Sequence, residues 1–215
     1  MKICAWIVVS ALIHVIKDLL FHIRKWSGYN VFNAKKMDVK IILCGIGGQG
    51  VVFLNRLLAR AAMDAGFPVM SLESHGMSRR GGSVVLHLRL GSHESPLVTQ
   101  GGADLLLALD EQEGLRNLSY VKYGGTVLVN SANEFPQTVL IELQRLQIKT
   151  ESINATEMAR NLGKVNAANV ILAGAVTALS AVSLSKDDVQ NAAAAMSPKA
   201  ANLNGRAVEI GYNVF

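Results

Sequence analysis

Cysteine is nearly absent from this sequence: the two present, Cys4 and Cys44, stand far apart and in no Cys-x-x-Cys spacing. That excludes a zinc ribbon, a cysteine-held iron–sulfur cluster and the disulfide framework of a small secreted domain. It fits a reducing, cytoplasmic setting. Histidine offers no substitute, because His75, His87 and His93 lack metal-ligand spacing. Aromatic residues make up only 6% of the chain, so stacking platforms for nucleic-acid bases are scarce. Long hydrophobic runs are missing as well. The apolar run 3–13 is broken by His14, Lys17 and Asp18, well short of the roughly 20 apolar residues a spanning helix needs. No small-x-small cleavage site follows it, as a signal peptide requires.

Half of the 215 residues are hydrophobic, enough for one well-buried domain without disulfides or structural metal. The net charge of +5 would by itself suggest a nucleic-acid partner, but it is local: residues 1–36 carry six bases against one acid, and the remainder carries fifteen of each sign. A neutral domain without a basic stripe is unsuited to a phosphate backbone, and no nucleic-acid partner is expected. Met37-Asp38-Val39-Lys40 opens directly into a strand-like run. The expected division is therefore an N-terminal extension over 1–36 and one domain over 37–215. The extension reads as an upstream translation start or, if present in the cell, as an amphipathic basic helix at a membrane surface.

Apolar periodicity alternates between strand and helix after Met37. Val39 to Cys44 predicts a buried strand, and Val51 to Ala65 repeats apolar residues at helical spacing before Gly66 and Pro68. Phe67–Leu72 and Val84–Leu90 predict strands, the second half-covered, with His87 and Arg89 on its polar face. Ala103–Leu109 and Gly125–Asn130 are further strands around a helix in Glu111–Val121, and Gln147–Ile153 is another. Thr156 is the expected N-cap of a helix to about Leu162. Ala167–Leu184, Asp187–Met196 and Ala200–Ile210 are alanine-rich helices. This predicts an α/β, three-layer, Rossmann-like fold with a mostly parallel sheet and a helical, alanine-rich C-terminal third.

Gly45-Ile46-Gly47-Gly48-Gln49-Gly50 lies between the first strand and the first helix. Glycines there permit positive φ and close approach, and a helix N-terminus attracts anions. The spacing matches a dinucleotide fingerprint, with Glu73 where a ribose-binding acid is expected. Gln49 departs from the pattern by placing an amide where a small residue is usual. The glycines alone also suit close packing of helix on strand. The second constellation is the loop from Glu73 to Gly82, with His75, Arg79, Arg80, Gly81 and Gly82. It should face the same crevice, where imidazole and guanidinium groups suit a carboxylate or phosphate.

The turn GIGGQG, the loop ESHGMSRRGGSVV, then HLRLG, SPL and ADLLLALDEQEGLR occur in order, with Asn166, Asn169, Asn204, Ala207 and Gly211 further on. From about Met37 to Gly211 the sequence resembles the gamma-type subunits of 2-oxoacid:ferredoxin oxidoreductases. His75-Gly76-Met77 with Arg80-Gly81-Gly82, followed by Ser95-Pro96-Leu97, is most similar to the indolepyruvate-type beta subunits of that group. The resemblance implies a subunit of an enzyme that oxidatively decarboxylates an arylpyruvate, giving acyl-CoA, CO2 and reduced ferredoxin. It implies that thiamine diphosphate, Mg²⁺ and [4Fe-4S] clusters reside on a large alpha subunit and none on this chain alone, with ferredoxin and coenzyme A met through the complex. It further implies that Gly45, Gly47, Gly48, Gln49 and Gly50 bind cofactor, and that His75, Arg79, Arg80, Gly81 and Gly82 bind substrate or coenzyme A. A free-standing NAD- or FAD-binding oxidoreductase and a non-catalytic nucleotide-binding module are the alternatives.

Overall fold

The computed structural model describes residues 38–73, 81–179 and 181–215. Six strands form one sheet: β1 (Asp38–Ile46), β2 (Val69–Glu73), β3 (Ser83–Gly91), β4 (Ala103–Ala108), β5 (Val121–Asn130) and β6 (Lys149–Ile153). Its order is β2-β3-β1-β4-β5-β6. β1, β4, β5 and β6 are mutually parallel, as the alternating pattern predicted. At one edge β3 runs antiparallel to both β1 and β2, pairing with β1 from Asp38↔Gly91 to Ile46↔Ser83. The sheet is thus mixed, and β3 occupies the place beside β1 that a dinucleotide-binding fold gives to its second parallel strand.

Strand residues divide between two cores by the period of two. Ile41, Leu43, Leu105, Leu107 and Leu128 face one side; Ile42, Cys44, Leu106, Ala108, Val127 and Val129 face the other. The first side is covered by α1 (Val51–Asp64), α4 (Ala155–Asn161), α5 (Ala168–Ala178), α6 (Lys186–Met196) and α7 (Ala201–Tyr212). The second is covered around α2 (Glu111–Arg116) and α3 (Gln137–Arg145). Three layers result.

α1 buries the stripe Val51, Leu54, Leu57, Leu58, Ala61 and Ala62, the spacing that puts one helix face on a sheet. Gly66, at φ 87°, ends it: its N–H donates to the Met63 carbonyl, and the Phe67 N–H donates to that of Ala62. This paired closure satisfies two carbonyls that the helix end leaves open. α5 is buried nearly all round because α7 presses against it. A Cβ on Gly174 would lie 2.1 Å from the Val208 carbonyl oxygen, and one on Gly211 would lie 1.8 Å from that of Ile171. No helix among the described residues is long and apolar enough to cross a membrane.

Three local expectations are corrected. The N-cap of α4 is Asn154, whose side chain accepts from the Glu157 N–H, while Thr156 sits inside the first turn. α5 stops at Ala178 rather than running to Leu184, because the chain becomes extended at Leu179. His87 is not on a solvated face. It is 6% exposed, its Nδ1 accepts from the Val98 N–H at 3.1 Å, and its ring meets Tyr120 edge-on.

Candidate functional site

The carboxyl ends of β1, β4 and β5 are drawn together by a short relay. The Leu109 N–H donates to the Cys44 carbonyl at 2.8 Å, and Asn130 Nδ2 donates to the Leu109 carbonyl at 3.2 Å and to Thr156 Oγ1 at 2.9 Å. The Thr156 N–H returns a bond to Asn130 Oδ1 at 3.2 Å. Asn130 is therefore occupied in holding the platform. Cys44, at the end of β1, is fully buried. Burial pushes its thiol far above the ordinary range, and Glu113 and Asp110 push the same way, so it is inert as a nucleophile.

The glycine turn rises from this platform. Gln49 folds back into it: its Oε1 accepts from the Ile46 N–H at 2.8 Å, and its own N–H donates to the Ile46 carbonyl at 3.1 Å. The amide oxygen of a residue expected to bind cofactor thus shapes the turn, leaving the NH2 as the group Gln49 can offer outward. A Cβ on Gly45 would lie 2.8 Å from that same Oε1 and 2.9 Å from Val51 Cγ2. Gly48 and Gly50 have φ of 106° and 87°, a region that side chains disfavour. Gly50 is also the N-cap of α1 and has no side-chain cap.

Two of the sequence-derived groups meet. The Gly47 N–H donates to the Gly82 carbonyl at 2.8 Å, and the Gly81 N–H donates to the Gly47 carbonyl at 3.3 Å. The residues Gly45 to Gly50 and the pair Gly81–Gly82 therefore form one lip. His75, Arg79 and Arg80 lie outside the described residues. Behind the lip, Ser83 Oγ donates to Glu113 Oε2 at 2.5 Å; Glu113 is 2% exposed and also pairs with Arg116.

Glu73 does not serve the turn as a ribose-binding acid would. β3 stands between its strand and β1, and its Oε1 is 3.6 Å from Arg56 Nε on α1. Other residues, which sequence reasoning did not assign to the site, do reach the turn. Two adjoining hollows of about 350 and 270 Å³ share Gly48, Gln49, Asn166 and Asn169, with Lys164 and Asn204 in the larger and Thr156 in the smaller. Asn166 and Asn169 carried a signal, as polar residues opening an otherwise apolar helix. A larger hollow of about 580 Å³ lies at the opposite end of the sheet. There Asp104 already pairs with Lys122 and accepts from the Lys40 N–H at 2.7 Å. The crevice at the carboxyl ends, beside the topological break, is the one placed as ligand sites of open α/β sheets are.

Comparison with known proteins agrees with this architecture. A family model for pyruvate ferredoxin/flavodoxin oxidoreductase matches residues 40–214. Indolepyruvate oxidoreductase subunit IorB of Archaeoglobus fulgidus is 34% identical over 191 residues, spanning 82% of this chain and 95% of that protein. The crystal structure of the gamma subunit of a keto/oxoacid ferredoxin oxidoreductase from Geobacter sulfurreducens superposes with a TM-score of 0.65 at 26% identity, over 81% of this chain and 96% of that one. Pyruvate oxidoreductase subunit PORC of Thermotoga maritima shares the fold, with a TM-score of 0.68 at 23% identity over 83% and 97%.

Proposed function

Because the chain belongs to the pyruvate ferredoxin/flavodoxin oxidoreductase family, we propose that it is the small, gamma-type subunit of a 2-oxoacid:ferredoxin oxidoreductase acting on indolepyruvate or another arylpyruvate. The complex converts oxoacid, coenzyme A and oxidised ferredoxin to acyl-CoA, CO2 and reduced ferredoxin in the cytoplasm. Thiamine diphosphate with Mg²⁺ supplies the carbanion chemistry, and [4Fe-4S] clusters carry electrons, on a large alpha subunit. This chain supplies a wall of the crevice, and its residues bind and orient rather than react. On its own it is inactive.

The observation that carries this reading is the pairing of Gly47 with Gly81 and Gly82, which joins the glycine turn to the residues that directly follow Arg80 in sequence. A lip of backbone and amide groups, with Arg80 close by in sequence, suits an anionic partner that another subunit holds from the opposite side. In this reading Gly48, Gln49 and Gly50 meet the cofactor, and His75, Arg79 and Arg80 meet coenzyme A or the oxoacid carboxylate.

Co-expression with a thiamine- and cluster-binding alpha subunit tests the reading directly. The two should co-purify, and this chain purified alone should show neither flavin absorbance nor tight NADH binding. Tight NADH binding by the isolated chain would sink the proposal. In the assembled enzyme, Arg80→Ala should raise KM for coenzyme A or oxoacid about tenfold, the scale of one charge-assisted contact, while assembly is retained. Unchanged kinetics would remove Arg80 from the site.

A further inference from the structure

Glu113 is the only buried acid among the described residues, and it lines neither hollow of the crevice. Its place is set from several sides. The Asp110 side chain accepts from the Gln112 and Glu113 N–H groups and so starts α2 just beyond the carboxyl end of β4. Asn117 Nδ2 donates to the Glu113 carbonyl at 2.8 Å where that short helix ends. Gly114 lets the helix lie close on the sheet, since a Cβ there would stand 3.0 Å from that of Ala108 and 3.3 Å from Phe135 Cζ. Glu113 is thereby brought down to the ends of β1 and β3, near enough for its charge to act on the Cys44 thiol.

The carboxylate divides its two oxygens. Oε1 pairs with Arg116 of the same helix, whose side chain is largely exposed, and Oε2 accepts from Ser83 Oγ at 2.5 Å across 30 positions of sequence. A buried carboxylate without donors is strongly disfavoured, so the bond holds Ser83 in one place. Ser83 forms the last rung of the β1–β3 ladder, opposite Ile46. The next bonds join Gly82 and Gly81 to Gly47, and these three residues have no side chains with which to fix themselves. Arg116 balances the charge of Glu113, whereas Ser83 links it to the lip.

We propose that Glu113 is a positioning residue: through Ser83 it fixes the height of Gly81 and Gly82 above the sheet, and with them the Gly47 peptide of the glycine turn. It touches no reacting atom. Its effect on the reaction rests on the function proposed above, in which the lip receives an anionic partner; its effect on the geometry of the lip does not. A displaced lip loses affinity for what it receives, while the steps that other subunits carry out continue unchanged.

Ser83→Ala tests this, because Ser83 is an exposed residue and the change removes the donor while the charge of Glu113 keeps Arg116. In the assembled enzyme it should raise KM for the oxoacid or for coenzyme A about tenfold, as the loss of one bond to a charged group does, with kcat within about twofold. Ser83→Thr keeps the hydroxyl and should restore the parent KM. Arg116→Gln removes the other partner of Glu113 and should lower stability without moving KM. In the full chain, hydrogen exchange at the Gly47 amide, which donates to Gly82, should quicken about tenfold in Ser83→Ala and keep the parent rate in Arg116→Gln. Unchanged Gly47 exchange in Ser83→Ala would overturn the positioning role, and so would a KM that rises equally in Ser83→Ala and Arg116→Gln. If the complex turns over no oxoacid while Gly47 exchange still responds to Ser83→Ala alone, the positioning role stands and the oxidoreductase reading falls.

Discussion

Single residues carry the turn, and each can be tested by what it touches. Gly50 combines φ 87° with an Asn169 side chain where its Cβ would be, so Gly50→Ala should lower unfolding free energy by about 1–3 kcal/mol. Urea denaturation would read that loss. Glu113 is buried behind the lip and held by Ser83 and Arg116. Removing its charge in Glu113→Gln should cost about 1–3 kcal/mol, and a double-mutant cycle with Ser83→Ala should show the two losses to be less than additive. His87 adds a pH dependence. Burial holds its imidazole below the usual value of 6.5, so the folded state binds its proton later than the unfolded chain does. Its stabilising contribution is complete above about pH 6.5 and declines as pH falls from there toward the folded value. Denaturation midpoints between pH 7.5 and 5.5 should therefore fall less steeply in His87→Gln than in the parent.

At the scale of elements, the junction of α5 and α7 makes the sharpest contrast. Gly211→Ala forces a methyl into the Ile171 carbonyl and should destabilise by about 3 kcal/mol or more. Gly205→Ala lies in the same helix and meets nothing within 4 Å. It should be neutral or stabilising by about 0.5–1 kcal/mol. Thermal melts of the pair separate helix packing from helix propensity. The same elements mark how far the sequence could be read. β1, the turn and α1 were legible because their apolar periods switch from two to 3.6 across six residues rich in glycine. The antiparallel insertion of β3 was not, since strand partners are chosen by tertiary closure and local pattern carries no trace of them. His87 misled for a related reason: alternation in β3 suggested a wet face, which the segment around Val98 covers. Half of the candidate site, the lip, could be found from glycine spacing. The other half, Lys164 and Asn169, arrives from the far end of the chain on helices whose polar residues only acquire meaning beside Gly50.

For the molecule as a whole, every strand and helix among the described residues lies after Met37, and the family match begins at residue 40. We propose that the functional domain spans 37–215. A chain beginning at Met37 should assemble with the partner subunit as the 215-residue chain does. Failure of the shorter chain to assemble would give residues 1–36 a part in the complex.

The nine-residue pairing of β1 with β3, continued by the bonds at Gly47, fixes a length relation as well as a shape. Side chains in a strand change faces with every one-residue shift. Inserting one residue between Ser83 and His87 would either carry His87 to the opposite face or release Gly82 from the turn. A residue gained or lost between Glu73 and Gly81 leaves that register intact. If His75, Arg79 and Arg80 meet the substrate as proposed, substrate preference can diversify through the length of that one segment without disturbing the β1–β3 pairing.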